Sequence, residues 1–386
     1  MKRLTGIIFF FISFLATAQS DSLNNRDCDL RISLLTCSPG TELYSTFGHS
    51  ALRVTDTSTH SDLIFNYGTF DFNDPDFYKK FILGKLLYFV SIDTFNYFLE
   101  QYQYEQRGII EQTLNLSCQE KQELVSALYE NAKEENKYYK YDFVYDNCTT
   151  RLRDIVARYC MDSLITKNIL PFKGVSFRNL IHEYLDNGRQ YWSKLGIDIL
   201  LGSPLDKKIS NYEAMFLPDY LLKGFDSSYS GNKTLISDKK TILSKAFQPG
   251  KKNFFTPVVV FGILFLLITL LSFIRSKAVK TFFSIFDVIF FFLCGALGVW
   301  LLFMWFGTDH FTCRNNYNLW WALPTHVPLS ILANKKAVWI KNYFRFTFWL
   351  SVALLLAWFF LPQQMNNALL FITGIIIVRS FFLSKK

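Results

Sequence analysis

Apolar and polar residues follow different patterns in the two parts of the chain. Between residues 28 and 226, short stretches either alternate between apolar and polar positions or repeat apolar residues at helical spacing. Alternation predicts half-buried strands, and helical spacing predicts amphipathic helices. From residue 254 the chain is almost continuously apolar, which predicts membrane spans. The pattern therefore predicts a folded domain of mixed secondary structure followed by a helical membrane domain.

The first part of the chain mixes predicted strands and helices in no regular order. Strands are predicted at 28–37, 50–54, 63–71 and 107–116, and helices at 75–90, 94–104, 117–137, 149–159, 177–185 and 213–222. We expect the last of these helices to lie on the surface near lipid. The lack of a repeating strand–helix–strand pattern favours an α+β fold over a doubly wound sheet. The Ser-, Lys- and Gly-rich stretch 227–253 is predicted to be a linker.

Apolar runs in the second part have lengths that suit membrane spans. Four of them are 254–273, 282–306, 346–361 and 368–382. A shorter run at 319–333 is interrupted by two prolines and a histidine. Basic residues cluster at 275–280, 335–345 and 385–386, and such clusters mark cytoplasmic ends. All three basic clusters lie on the cytoplasmic side only if 319–333 also crosses the membrane. We therefore predict five spans in the domain 254–386, with the C-terminus inside. A re-entrant 319–333 is the alternative.

The first 18 residues have the three parts of a secretory signal peptide. A basic start is followed by an apolar core and by the small-residue site Ala16-Thr17-Ala18. We therefore predict a signal peptide at 1–18 and place the following domain, 19–226, outside the cytoplasm. An uncleaved membrane anchor is the alternative.

Composition and cysteine spacing narrow the classes of partner. The net charge of +9 is compatible with nucleic-acid binding, but the basic residues gather at the ends of apolar runs rather than in one patch. We therefore expect a membrane protein without a nucleic-acid partner. The seven cysteines have no zinc-type spacing, so no metal site is expected. Cys28 and Cys37 are a candidate disulfide pair in an oxidising compartment.

The segment 141–154, YDFVYDNCTTRLRD, contains the best candidate nucleophile. Asn147 is suited to cap the helix that follows, and Cys148 and Thr149 occupy its first turn. The positive end of the helix dipole favours a thiolate there, and two nearby arginines add positive potential. The arrangement predicts a reactive cysteine, with a buried structural cysteine as the alternative.

A histidine about a hundred residues upstream is the candidate base for this thiol. His49 stands in GHSALRV, directly before an apolar strand, and is one of five histidines in the chain. A cysteine nucleophile needs a base within hydrogen-bond distance and a third group that orients the base. Asn66 and Asp71, on and after the next predicted strand, are the candidates for that third group. A purely structural histidine is the alternative.

Polar residues also gather at the predicted outer membrane interface, in the segment 309–326. Polar groups at membrane depth are costly, so they suggest a functional site. Asn318, Trp320 and His326 are candidates for a lipid-headgroup pocket beside the catalytic face. A well-packed interfacial loop is the alternative.

Several motifs, taken in order, resemble one family. They are CSPGTELYSTFGHSALRV, LIFNYGTFDF, YDFVYDNCTTRLRD, FLPDYL and NNYNLWWALPTH. Together they resemble the Lnb-type lipoprotein N-acyltransferases of Bacteroidetes over nearly the whole chain. The resemblance implies a circularly permuted papain-like domain related to NlpC-type peptidases, in which the histidine precedes the cysteine. It further implies that Cys148 is the nucleophile and His49 its base, and it leaves the third member open, with Asn66 as our prediction.

The resemblance also implies a reaction and a location. A fatty acyl chain would pass from a phospholipid, through a thioester on Cys148, to the α-amine of the diacylglyceryl-cysteine of a lipoprotein. The expected partners are these two substrates and the membrane, without metal or other cofactor. The expected location is the inner membrane, with the catalytic domain in the periplasm. The alternatives are a membrane-anchored cysteine hydrolase acting on phospholipids or cell-wall peptides, and a non-enzymatic envelope assembly or sensor protein.

Overall fold

The computed structural model describes residues 28–42, 45–159, 165–244, 250 and 252–385. The predicted signal peptide, 1–18, lies outside the described residues. Within them, a sheet-rich domain is followed by a domain made of helices. The α+β prediction for the first domain agrees with this mixed architecture.

Seven antiparallel strands form the main sheet. They are β1 (Leu30–Cys37), β2 (His49–Asp56), β3 (Ser61–Thr69), β4 (Leu87–Thr94), β5 (Ile109–Leu114), β6 (Tyr138–Lys140) and β10 (Ile236–Leu243), in the spatial order β10-β5-β1-β2-β3-β4-β6. A smaller sheet contains β7 (Ile165–Thr166), β8 (Ser228–Ser230) and β9 (Lys233–Thr234). Because β1 lies near the centre of the main sheet, its residues from 32 to 37 are all buried.

Helices cover both faces of the main sheet. The described α-helices of the first domain are, in chain order, α1 (Phe77–Leu83), α2 (Phe95–Tyr104), α3 (Cys118–Ala132), α4 (Cys148–Tyr159), α5 (Phe177–Asn187), α6 (Tyr191–Leu200), α7 (Asn211–Ala214) and α8 (Pro218–Asp226), of which α2, α3, α4 and α8 pack on the sheet. Successive strand residues point to opposite faces, so Leu34 joins the core with α3 and α4 while Leu35 joins the core with α2. Burial on both faces explains why β1 is apolar at adjacent positions.

Three predictions about the first domain were wrong. The helix predicted at 75–90 ends at Leu83, because Gly84 adopts a left-handed conformation (φ 69°) that closes it, and residues 87–94 form β4 instead. The stretch 227–253, predicted as a linker, contributes three strands, and β10 pairs with β5 along the edge of the main sheet. The predicted surface helix at 213–222 is buried, with Phe216 and Tyr220 each 1% exposed.

The disulfide also differs from the expectation. Cys28 is bonded to Cys118, at the start of α3, with 5.4 Å between their Cα atoms. Cys37 is a free and fully buried thiol in the centre of the sheet. Cys37 is the last residue of β1 and Cys28 lies just before that strand, so an extended strand separates the two.

The second domain consists of α9 (Pro257–Ser272), α10 (Lys277–Phe306), α11 (His326–Ile331), α12 (Val338–Ala357) and α13 (Leu369–Lys385). By length and composition, α10 and the helical segment Val338–Phe360 can cross a membrane, and α9 is a shorter apolar helix. Arg379 of α13 donates to both carboxylate oxygens of Asp287 in α10, at 2.7 and 2.9 Å. Both side chains are buried, so this ion pair fastens two helices together.

The segment 319–333 does not form one continuous helix. Its first two residues end a short 3-10 helix, and α11 occupies only its second half. The chain nevertheless runs along α10 in the opposite direction: Ala322 lies against Gly298, and the side chain of Asn334 donates to the backbone oxygen of Ser284 at 2.7 Å. The segment thus follows α10 for about 20 Å, at 1.5 Å per residue.

A buried polar cluster around Asp198 joins the two domains. The Asp198 carboxylate accepts from Arg178 at 2.8 Å, bonds to His182 at 2.7 Å, and accepts from Asn366 at 2.9 Å. Its backbone oxygen accepts from the side chain of Asn318. Asn318 and Asn366 belong to the second domain, so the cluster fixes the first domain on the end of the second.

Candidate active site

His49 and Cys148 come together because α4 packs on β2 and β3. His49 is the first residue of β2, and Cys148 is the first residue of α4. Their side chains lie close enough for each to shift the pKa of the other, although about a hundred residues separate them in the chain. Gly48 makes the entry into β2 possible: its φ is +79°, and a Cβ there would stand 2.7 Å from the backbone oxygen of Cys37.

Asn147 caps the nucleophile helix. Its side-chain oxygen accepts from the backbone N–H of Thr150 at 2.8 Å, and its amide donates to the backbone oxygens of Phe143 and Phe216 at 2.7 and 3.0 Å. Such a cap satisfies a free amide at the helix start. The buried Asn147 therefore holds the position of Cys148 rather than pointing at a substrate.

Asn66 of β3 orients the imidazole. Nε2 of His49 donates to Oδ1 of Asn66, 2.6 Å away, which leaves Nδ1 for the thiol of Cys148. β2 and β3 are adjacent strands, so this contact follows from the sheet order. The other candidate, Asp71, is exposed, and its carboxylate accepts from the backbone N–H of Asn73 in a turn. The structure therefore brings Asn66, and not Asp71, to His49.

The charges of the pair stabilise each other. Burial raises the pKa of the Cys148 thiol, but the His49 charge, its hydrogen bond and further donors outweigh burial and bring the pKa to about 7. Burial lowers the pKa of His49, but the thiolate and the hydrogen bonds to Cys148 and Asn66 raise it above its usual value. Near neutral pH the pair is therefore poised to exist as thiolate and imidazolium.

Two further donors near the sulfur lower its pKa. The hydroxyl of Thr149 lies 3.7 Å from Sγ, and the backbone N–H of Ser50 is the second donor. Sequence reasoning placed Thr149 in the first turn of the helix but missed Ser50, because a backbone donor leaves no mark in the identity of the side chain.

Tyr139 is a site residue that sequence reasoning missed. A Cβ on Gly68, whose φ is +90°, would lie 3.5 Å from the Cβ of Cys148 and 4.0 Å from the Tyr139 hydroxyl, so these groups converge. This hydroxyl is buried without an acceptor among the described residues. The Arg151 guanidinium stacks 3.6 Å over its ring. Burial raises the pKa of Tyr139, so its proton is retained at neutral pH.

The three residues predicted for a headgroup pocket do not line one. Asn318 is fully buried, where it donates to backbone oxygens of α6 and accepts from Trp321. His326 is also fully buried, accepts at Nδ1 from the Tyr343 hydroxyl at 2.6 Å, and packs on a phenylalanine ring. Trp320 alone is partly exposed. Internal packing fills the space that the prediction assigned to a ligand.

The described residues contain no group of three or more His, Cys, Asp or Glu side chains that could hold a metal ion.

The comparisons with known families agree with this division into two domains. Residues 21–182 match the family model of the Lnb N-terminal periplasmic domain, and residues 249–386 match that of the Lnb transmembrane domain. The molecule is thus a membrane protein with a periplasmic domain. The chain belongs to the Lnb-type family, and this membership suggests an enzyme. No curated protein and no solved structure gave a significant match.

Proposed function

We propose that the protein is a lipoprotein N-acyltransferase of the inner membrane that acts through Cys148. The observation that carries this proposal is the pairing of Cys148 with His49, which lowers the thiol pKa to about 7, on a periplasmic domain fixed to a transmembrane domain. A thiolate at neutral pH suits attack on an ester, and attachment to the membrane suits a lipid donor. We also propose that the periplasmic domain is papain-like, because its cysteine begins a helix and its histidine begins a neighbouring strand.

In the first step, the Cys148 thiolate attacks the carbonyl carbon of a phospholipid ester. A C–S bond forms and the ester C–O bond breaks. The His49 imidazolium gives its proton to the departing oxygen, so a lysophospholipid leaves and an acyl thioester remains. Asn66 keeps the imidazole in the orientation that this proton transfer needs.

The developing negative charge on the carbonyl oxygen has two candidate partners. The backbone N–H of Cys148 lies at the positive end of α4, where free amides stabilise an oxyanion. The Tyr139 hydroxyl is a neutral donor that converges with Cys148 on Gly68 and has no acceptor among the described residues. We propose that these two donors hold the oxyanion.

In the second step, the α-amine of the lipoprotein's diacylglyceryl-cysteine attacks the thioester. His49, now neutral, accepts the proton that the amine loses. A C–N bond forms, the C–S bond breaks and the thiolate returns. The chemistry is therefore a two-substrate exchange in which one product leaves before the second substrate reacts.

The contacts within the second domain support five membrane crossings, the topology that would keep both lipid substrates beside the site. α9 and α12 both pack on α13, and the segment 319–333 returns along α10. The ion pair of Arg379 with Asp287 lies in the halves of α10 and α13 that end in Lys277 and Lys385. We propose that the C-terminus is cytoplasmic, as the basic residues indicate.

Mass spectrometry of the N-terminal peptide of a native lipoprotein tests this function. The cells carry wild type, Cys148→Ser or His49→Ala as their only copy, and the level of each protein is measured in parallel. We expect the amide-linked acyl chain to be lost in both variants. Its persistence in Cys148→Ser would overturn the proposal and favour a hydrolase or an assembly protein.

A further inference from the structure

A chain of aromatic side chains connects the membrane domain with the candidate nucleophile. We call it the aromatic strip, and it consists of Phe70, Phe72, Phe77, Phe81, Tyr88 and Tyr141. The centroids of neighbouring rings lie between 4.4 and 6.3 Å apart, which is direct aromatic contact. The reaction steps described above use none of these residues.

The inner end of the strip lies beside Cys148. Tyr141 stacks on Tyr88 with 4.4 Å between ring centroids, and both pack with Cys148 against the same core. A Cβ on Gly68 would stand 3.5 Å from the Cβ of Cys148 and 4.0 Å from the Tyr141 ring. The strip therefore ends where an acyl group on the sulfur would begin.

The outer end of the strip lies against the periplasmic end of α10. The backbone oxygen of Leu83, the last residue of α1, accepts from the N–H of Asp309 at 2.9 Å, just beyond α10. The backbone oxygen of Phe81 lies 3.1 Å from Nε2 of His310. Phe72 and Phe81 are 71% and 52% exposed, and Phe306, at the end of α10, is 74% exposed. Exposed aromatic rings thus stand on both sides of this junction between α1 and α10.

A row of aromatic rings that is exposed at one end marks a binding site or a membrane contact. The positions of its two ends indicate which molecule binds there. One end adjoins α10, a helix that can cross the membrane, and the other lies beside the candidate nucleophile. A polar cell-wall peptide would gain little from the outer rings, whereas a lipid chain would bury them. Resting on the proposed function, we infer that the aromatic strip binds the fatty acyl chain of the phospholipid donor while its ester reaches Cys148.

The test measures chain-length preference. The full-length protein in detergent receives dipalmitoyl or dihexanoyl phosphatidylethanolamine, and intact mass spectrometry follows acylation of Cys148. The ratio of the long-chain to the short-chain rate is the readout. Phe72→Ser/Phe81→Ser changes the exposed outer end, and Phe70→Ala changes the middle. Tyr104→Ala is the matched control, since Tyr104 is 90% exposed at the end of α2.

We expect the ratio to fall about 10-fold in the strip variants, because a long chain loses apolar contact that a short chain never makes. The Tyr104→Ala ratio should equal that of wild type. A pH midpoint near 7 for the alkylation of Cys148 by iodoacetamide reports that a variant is folded, because an unfolded thiol titrates higher. The exposed outer pair decides the test if Phe70→Ala unfolds. An unchanged ratio in a folded variant would overturn acyl-chain binding by the strip and leave the proposed function intact. If wild type forms no acyl thioester on Cys148, the proposed function itself is overturned.

Discussion

The Cys148 thiol owes its low pKa to a small number of direct contacts. Burial alone would raise the pKa, and the buried cysteines 37 and 313 show this effect, with pKa values raised to about 12. What distinguishes Cys148 is the nearby His49 charge, together with the hydroxyl of Thr149 and the N–H of Ser50. Removing His49 should therefore leave burial as the dominant influence.

Alkylation of Cys148 by iodoacetamide should follow the thiolate population. Because the folded-state pKa is lowered to about 7, reactivity should be present above pH 7 and be lost as the pH falls below it. In His49→Ala the midpoint should move up by at least one pH unit, toward or beyond the ordinary thiol value. Mass spectrometry of the labelled protein at several pH values measures this. Superimposable profiles would contradict the ion pair, and Cys148→Ser controls for labelling of the other thiols.

Asn66 should act as a positioning residue. We expect Asn66→Ala to lower the acylation rate about 10- to 100-fold, less than the loss of a charged triad member. Asn66→Asp should restore part of the rate and raise the pKa of His49, which moves the alkaline limb of the pH–rate profile upward. Asn131→Ala is the matched control. The Asn131 side chain donates to the hydroxyl of Tyr67, which lies beside Asn66 on β3, and it does not contact His49. A purely structural role would leave the alkaline limb in place.

Tyr139→Phe tests the oxyanion donor. The change removes one hydroxyl and keeps the ring that Arg151 covers. We expect acylation to slow about 100-fold, which is typical for the loss of one oxyanion donor, while the alkylation midpoint of Cys148 stays near pH 7. Acylation at the wild-type rate would leave the backbone amides as the oxyanion donors.

The irregular segment 319–333 keeps its place because α10 presents glycines to it. A Cβ on Gly298 would lie 1.9 Å from the backbone oxygen of Ala322, and one on Gly295 would lie 2.5 Å from the N–H of Val327. At these two positions α10 has no side chain, and the backbone of the segment 319–333 occupies the space. Close approach of this kind is the usual role of small residues between membrane helices.

Gly298→Ala should therefore destabilise the protein, although alanine favours a helix more than glycine does. We expect a loss of about 1–3 kcal/mol of unfolding free energy from the clash with Ala322. In Gly262→Ala the new Cβ would meet Phe371 at an ordinary van der Waals distance of 3.5 Å. The higher helix propensity of alanine should then dominate, so the unfolding free energy should be equal or up to about 1 kcal/mol higher. Thermal unfolding in detergent compares the two. Equal shifts would mean that the segment moves aside freely.

The Asp198 cluster holds the periplasmic domain in its position on the membrane domain. It combines a fully buried carboxylate, a fully buried guanidinium and side chains from both domains. Because a buried charge is costly without its partner, removal of one member should weaken the attachment of the whole domain. The position of Cys148 relative to lipid depends on that attachment.

Asp198→Ala should cost about 3–5 kcal/mol of stability, since it leaves Arg178 buried with Asp206 as its remaining charged partner. Asp186→Ala is the control: its ion pair with Lys194 is at the surface and should contribute less than about 1 kcal/mol. Chemical denaturation of the full chain in detergent measures both. Equal effects would show that the cluster is not a structural joint.

The sequence by itself determined the features that depend on local chemistry and on long patterns. The capping box of Ser117 and Glu120, the helix that begins at Cys148 and the apolar character of the second domain follow from neighbouring residues. The five motifs were sufficient to indicate the family. The pairing of His49 with Cys148 was a sound hypothesis, because a nucleophile and a base each carry a recognisable local setting.

Only the tertiary structure decided which distant groups meet. Cys28 pairs with Cys118, Asn66 rather than Asp71 reaches His49, and β10 completes the sheet from a stretch that reads as a linker. Likewise, Asn318 and His326 are packed inside rather than open to a lipid. The physical reason is common to all: these outcomes depend on strand order and on burial, which many separated residues set together and no short stretch encodes.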